Sequence, residues 1–255
     1  MSNLIKAERY KLFHRLSFWL GCIAMLGFGI LLGFDCLETR NASILEVIPT
    51  NNLSDYFSGM IADSLILTVL VPPLLSFIIG REFSTRIITA EISSGHSRRE
   101  IFFSKLIVHV LACDFIMLLF PIGGLIRYGY KFGTEDLMLN ILKILRTCGN
   151  IFVVYSAIFM ISILIAFIFK SGLISGITSA IVWFCLSWVY GIEFQSNTKM
   201  IRMANPNYYI RRISDMGSYL NHSKVFDIPA VLGSIIWIAV CSILMWYLFR
   251  KRDLK

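Results

Sequence analysis

Residues 147–192 read TCGNIFVVYSAIFMISILIAFIF, then a single Lys170, then SGLISGITSAIVWFCLSWVYGI. Each charge-free run has about the 20 residues that carry a helix across ~30 Å of hydrocarbon. The turn at Lys170-Ser171-Gly172 is so short that the two helices must be antiparallel neighbours. Working outward, similar runs cover 16–34, 64–80 and 228–249, and a sixth near 101–125 is interrupted by Lys105, His109 and Asp114. The expectation is an all-α membrane protein with six transmembrane helices, at about 17–34, 58–80, 101–125, 148–169, 171–192 and 229–249, in a single transmembrane domain over 1–255. Composition agrees: 56% of residues are hydrophobic and 16% charged, against 45–50% and about 25% in soluble domains. The mean hydropathy is +0.71.

The first apolar run is long and no small-x-small pattern follows it near Phe34-Asp35-Cys36, so it reads as a retained helix, not a cleaved signal. The six cysteines (22, 36, 113, 148, 185, 241) form no Cys-x-x-Cys and read as small packing residues. A Cys36–Cys148 bridge is sterically conceivable and nothing in the sequence supports it. The net charge of +8 fits membrane anchoring better than nucleic-acid binding. Basic residues cluster at both termini and between the second and third runs, whereas loop 35–57 holds Arg40 against Asp35, Glu38, Glu46 and Asp55. The positive-inside rule then predicts cytoplasmic N- and C-termini. The presumed outer loops 126–147 and 193–228 are also basic, against that rule.

Residues 3–16 predict an N-terminal interfacial helix, with Ile5, Leu12 and Leu16 on one side and Glu8, Lys11 and Arg15 on another. Trp19, Trp188 and Trp246 fall at presumed membrane boundaries. Pro72-Pro73 predicts a kink in the second helix. Gly29-x-x-x-Gly33 and Gly172-x-x-x-Gly176 allow close helix contact, within the chain or at a dimer seam. The long segment 193–228 predicts two short interfacial or re-entrant helices between the fifth and sixth spans.

No Gly-x-x-x-x-Gly-Lys-Ser/Thr loop occurs, so the chain offers no P-loop for ATP. There is no His-Glu-x-x-His and no paired-cysteine metal site. Ser93-Ser94-Gly95-His96 resembles one motif of membrane phosphatases, but the accompanying motifs are missing and Ser97-Arg98 follows too closely. Neither catalytic residues nor a metal site are expected. Three ionisable residues lie in apparent spans: Asp63, His109 and Asp114. Charge near the bilayer centre costs about 2.5–3.5 kcal/mol on insertion scales, so each is a candidate pathway residue. Asp63 also reads as an interface residue, and Asp114 as a hydrogen-bonded packing residue.

The segment 81–100, REFSTRIITAEISSGHSRRE, is far longer and more charged than a connector of two to eight residues. It places Arg81-Glu82, a short amphipathic stretch, Ser93-Ser94-Gly95, Ser97-Arg98, Ile101 and Lys105 in order. This pattern resembles the region between the second and third helices of ABC-2 type permeases, the membrane subunits of a class of ATP-binding-cassette exporters. Leu4-Ile5-Lys6-Ala7-Glu8-Arg9-Tyr10-Lys11-Leu12 resembles that family's interfacial helix. One departure is Thr85-Arg86, where the family commonly has Gly-Thr.

The resemblance implies a non-enzymatic, multi-pass subunit of the bacterial plasma membrane. It would pair with a second permease chain as a homo- or heterodimer, contact membrane lipid, and dock a separate P-loop ATPase that binds ATP and Mg; no nucleic acid is implied. Residues 82–96 would be the coupling helix, with Glu82, Arg86, Glu91, Gly95, Arg98 and Arg99 as docking candidates. Arg98 and Arg99 read equally well as anchors. The substrate class implied is a bacterial peptide or other amphipathic molecule, in export or immunity. The alternatives are an ion-coupled secondary transporter and a non-transporting membrane scaffold or sensor.

Overall fold

The computed structural model describes residues 2–39, 53–132, 137–195, 205–218 and 227–251, which are helical with no strand among them. Helix α1 (Ser2–Phe13) turns into α2 (Leu16–Thr39). Helix α3 (Leu53–Asp63) runs through a 3₁₀ segment (Ser64–Val69) into α4 (Val71–Ser84). Then come the short α5 (Ile87–Ser93), α6 (Arg98–Phe132), α7 (Leu137–Phe169), α8 (Gly172–Gln195), α9 (Pro206–Ser218) and α10 (Ile228–Lys251). Among the described residues, four helices are long and apolar enough to cross a membrane: Arg98–Tyr130, Asn140–Phe169, Gly172–Tyr190 and Ile228–Arg250. The total is up to six if each of two bent pairs, α1–α2 and α3–α4, is one span. By this measure the chain is a multi-pass membrane protein.

Helix α7 is the axis. Of its apolar stretch, 72% is buried, against 22% for α8 and α10. Its burial explains why the stretch that opens the sequence reading is apolar all round. Helix α8 instead exposes Leu173, Ile177, Ile181, Phe184 and Trp188 in one stripe, the face suited to lipid. Between spans the hydrophobic effect is weak, and close packing and hydrogen bonds carry association. Ser76 and Ser175 donate to each other's carbonyls across α4 and α8 at 3.1 and 2.9 Å. The Trp183 indole N–H donates to Ser162 Oγ at 2.7 Å, and Ser64 and Tyr155 share a hydroxyl hydrogen bond of 2.6 Å. Gly29 lies directly on the Phe120 carbonyl and Gly123 of α6, and Gly172 on Phe77 and Arg81 of α4. Gly29, Gly172 and Gly176 therefore pack within the chain.

Several expectations are corrected. The break in the second span precedes Pro72-Pro73 instead of falling on them. The prolines occupy the first turn of α4, where a missing N–H costs nothing, and the 3₁₀ segment ahead of them takes up the 41° bend. Most of 126–147 is helix, since α6 and α7 are each about 50 Å long at 1.5 Å per residue. Arg127, Lys143 and Arg146 thus sit on helix extensions, not in a loop. Within 193–228 one separate helix, α9, is described. It packs Tyr209, Ile210 and Ile213 inward, and Arg212 holds Asp227 at the start of α10; the second expected helix lies outside the described residues. Cys148 is a free thiol, and the side chain of Cys36 lies outside the described residues.

Both described chain ends share one end of the bundle. There α1, α5 and the start of α6 meet through ion pairs, and Arg98 donates to the Phe249 carbonyl near the end of α10 at 3.5 Å. The α7–α8 turn also lies at this basal end, where Lys170 adopts a left-handed φ of 52°.

Candidate functional site

The insert between α4 and α6 begins with a left-handed residue. Arg86 has φ 58° and separates α4 from α5. This is where the family pattern departs at Thr85-Arg86, and a side chain in that conformation is strained by roughly 1–2 kcal/mol. Helix α5 is seven residues long, shorter than the expected 82–96, because Glu82 still belongs to α4. It ends at Gly95, whose φ of +92° suits glycine and whose N–H reaches the Ile92 carbonyl. Helix α6 then starts from a capping box. The Ser97 hydroxyl donates to Glu100 Oε2 at 2.9 Å, and the Glu100 N–H returns to Ser97 Oγ at 3.3 Å.

Beneath α5 lies a buried ion-pair cluster. Lys105 Nζ, on the second turn of α6, donates to Glu82 Oε2 at 2.9 Å, Glu8 Oε1 at 3.0 Å and Glu91 Oε1 at 3.2 Å. An ammonium has three N–H donors and no acceptor, so three carboxylates from three helices exhaust it. Lys11 Nζ closes a second ring, 3.0 Å from Glu8 Oε1 and 2.8 Å from Glu91 Oε1. Arg15 reaches Glu82 Oε1 at 3.3 Å. Three acids thus face three bases. Glu8, Glu82 and Lys105 are each 4% exposed or less. Burial alone would raise the Glu8 carboxyl, but Lys105 and Lys11 overcome it and hold it at about 2. Burial likewise opposes the charge on Lys11, and Glu91 and Glu8 outweigh it, raising its ammonium above the ordinary range.

His109 lies one turn further along α6. Its Nδ1–H donates to the Lys105 carbonyl at 2.9 Å, which turns Nε2 toward Glu82 Oε1 at 4.0 Å. Glu8, Glu82 and His109 bring ligand atoms within 4.8 Å of one another, a spacing a divalent cation could bridge. The Lys105 ammonium already contacts both carboxylates, so the cluster carries its own covalently attached cation.

The sequence-derived candidates therefore separate. Glu82 and Glu91 face inward, and Glu82 is not on the surface as its docking assignment requires. Its carboxylate is drawn to Lys105 because an unpaired buried charge is prohibitively costly. Arg86 and Gly95 are exposed, as are Ala90, Ser93, Ser94 and His96. Arg98 engages α10 through Phe249, and Arg99 stacks over the Trp246 ring at 5.8 Å. His109 belongs to the ion-pair cluster. Asp63 is half-buried where α3 meets the 3₁₀ segment. Asp114 is fully buried deeper between α6 and α7, accepting from Ser156 Oγ at 2.6 Å.

The sequence matches the family described as "Protein of unknown function (DUF2705)" over residues 34–255. The chain belongs to the DUF2705 family. No curated protein matches it. The DUF2705 match includes Glu82, Glu91, Lys105 and His109, whereas Glu8, Lys11 and Arg15 precede it.

Sequence reasoning missed Glu8 and Lys105 as members of the site. Leu4 and Glu8 are both buried, so the face of α1 that carries Glu8 turns inward. The legible signal was an acid four residues from a leucine on a short helix, in a chain with a lysine four residues into a span. The capping box was legible too, in the Ser-x-x-Glu spacing of 97–100.

Proposed function

We propose that the chain is the transmembrane subunit of an ABC-2 type exporter, forming one permease unit over 1–255 and driven by a separate P-loop ATPase. The observation that carries this reading is the short α5, projecting between two spans and clamped by buried charge to α1 and α6. A flexible connector could not transmit force. A helix held through Glu91 by two ion pairs, 2.8 Å to Lys11 of α1 and 3.2 Å to Lys105 of α6, can, and displacement of α5 would move α1 and α6 together. Two-state rigid-body motions of this kind are a common switching mode. In this reading the basal end faces the cytoplasm of a bacterial cell, where α5 meets the ATPase.

The docking roles are accordingly divided. Arg86, Ala90, Ser93 and Gly95 present the contact surface, with Arg98 and Arg99 bracing it against α10. Glu82 and Glu91 position α5 from behind. The substrate would be a peptide or other amphipathic molecule, matched by a bundle with few charges in its spans. A second copy or a related permease would complete the pathway.

Copurification with a P-loop ATPase, if one is encoded in a neighbouring gene, tests the reading. Ala90→Arg and Arg86→Glu, on the exposed face, should abolish ATPase capture while leaving folding intact. Retention of full capture and ATP-dependent export by both variants would rule out α5 as the docking element.

A further inference from the structure

Asp114 is not part of the basal ion-pair cluster, and its surroundings are different in kind. It lies 16 residues into the 35-residue α6, about 24 Å from one end and about 27 Å from the other at 1.5 Å per residue, near mid-span. It is fully buried. Its Oδ2 accepts from Ser156 Oγ of α7 at 2.6 Å. Its Oδ1 is buried and has no hydrogen-bond partner.

The groups around it are neutral. On α7 the next residue back, Tyr155, carries its hydroxyl to Ser64 of the 3₁₀ segment at 2.6 Å. That segment adds only Ser64 and Thr68 as polar side chains, and α2 brings no charged residue between Leu16 and Phe34. The other titratable groups toward the middle of these packed elements are Cys113 beside it on α6, Cys148 on α7, Cys22 on α2, Asp63 at the end of α3, and His109, which bonds the Lys105 carbonyl; Lys105, Arg127 and Tyr128 on α6 and Lys143 and Arg146 on α7 lie nine or more residues along their helices from Asp114 or Ser156, and Tyr56 stacks with Tyr128. Among the described residues no base pairs with Asp114. A carboxylate at this depth, with one hydroxyl donor and no cation, is a costly state. One carboxyl and one hydroxyl are also too few oxygens to replace the hydration shell of a metal ion. They suffice for a proton.

We propose that Asp114 is a reversible proton-binding site within the spanning bundle. Its carboxyl holds a proton in the packing described, and the proton leaves when α6 and α7 part and water reaches the unpartnered Oδ1. The neighbouring 3₁₀ break gives this region a span that is not a continuous helix, the setting in which ion sites form in membrane proteins. The site is independent of any ATPase partner.

The test uses the full chain in phosphatidylcholine–phosphatidylglycerol vesicles. Infrared spectra should show the carbonyl stretch of a protonated carboxylic acid that shifts in heavy water and is missing in Asp114→Asn. Dicyclohexylcarbodiimide, which reacts with protonated carboxyls in membranes, should label Asp114, with labelling falling as pH rises. Ser156→Ala removes a hydrogen bond that favours the charged form, so its labelling profile should move to higher pH; a purely packing role predicts no such movement. Absence of the band, a band that does not shift in heavy water, or labelling that ignores pH overturns the proposal.

Discussion

Replacing Lys105 with methionine removes the central cation and keeps the volume of the side chain. Three carboxylate oxygens then surround a position with no donor, at the distances of 2.9–3.2 Å that Lys105 had filled. Each contact is worth about 5 kcal/mol of attraction at 3 Å and an effective dielectric of ~20, before desolvation is subtracted. Lys11 and Arg15 remain at the rim and offset part of the loss. Removing one partner of a buried pair costs about 3–5 kcal/mol net. The loss is local, because Lys105 joins α1, α4 and α5 to α6, and among the described residues none of its ion pairs reaches α7. Hydrogen exchange of the protein in nanodiscs should therefore show amide protection in α1 and α5 falling by about two to three orders of magnitude, at 1.4 kcal/mol per tenfold. Protection in α7 should stay unchanged. Adding Glu8→Gln and Glu82→Gln should recover most of it, since the stranded charges go with the cation. Unchanged protection of α1 and α5, or an equal loss in α7, would refute the clamp.

Acidification should loosen the same clamp in the unaltered protein. Glu8 is held at about 2 against an ordinary 4.5; its contribution is fully present above pH 4.5 and is lost as pH falls through about 2, as read by α1 exchange between those limits. Gly29→Val would drive a branched side chain into the Phe120 carbonyl and Gly123. Backbone atoms cannot rotate aside, so the thermal midpoint should drop by the equivalent of about 3 kcal/mol, the upper end for overpacking. Arg86→Gly removes the penalty of its left-handed φ and should stabilise the α4–α5 junction by about 1 kcal/mol, seen as slower exchange in α5.

The spans were legible because lipid leaves a strong mark: long charge-free runs fixed α7, α8 and α10 to within a few residues, apart from the longer N-terminal extension of α7. The short turn at Lys170 likewise gave the antiparallel pairing. Helix extensions beyond the bilayer were not legible. Charged residues such as Arg127 and Lys143 read as loop, though nothing in their local sequence stops a helix. The exact break in the second span was obscured because two prolines drew the kink to themselves, whereas a first-turn proline starts a helix without bending it. At the site, Glu82 read as a docking candidate, and its inward orientation was not legible. Its orientation depended on Lys105 and Glu8, each of which has an innocent local reading, and only the fold brings 97 positions of separation down to a hydrogen bond of 3.0 Å.

That separation sets an order of events in synthesis. Chains grow at about 5–20 residues per second, so Lys105 is made roughly 5–20 s after Glu8. Until then Glu8 has no buried cation to meet, and the helix must wait in contact with water and lipid headgroups. The clamp closes only once α6 has entered the bundle. Helix α1 therefore locks only after α2 to α6 have been made, and before α7, around which the bundle packs, is complete.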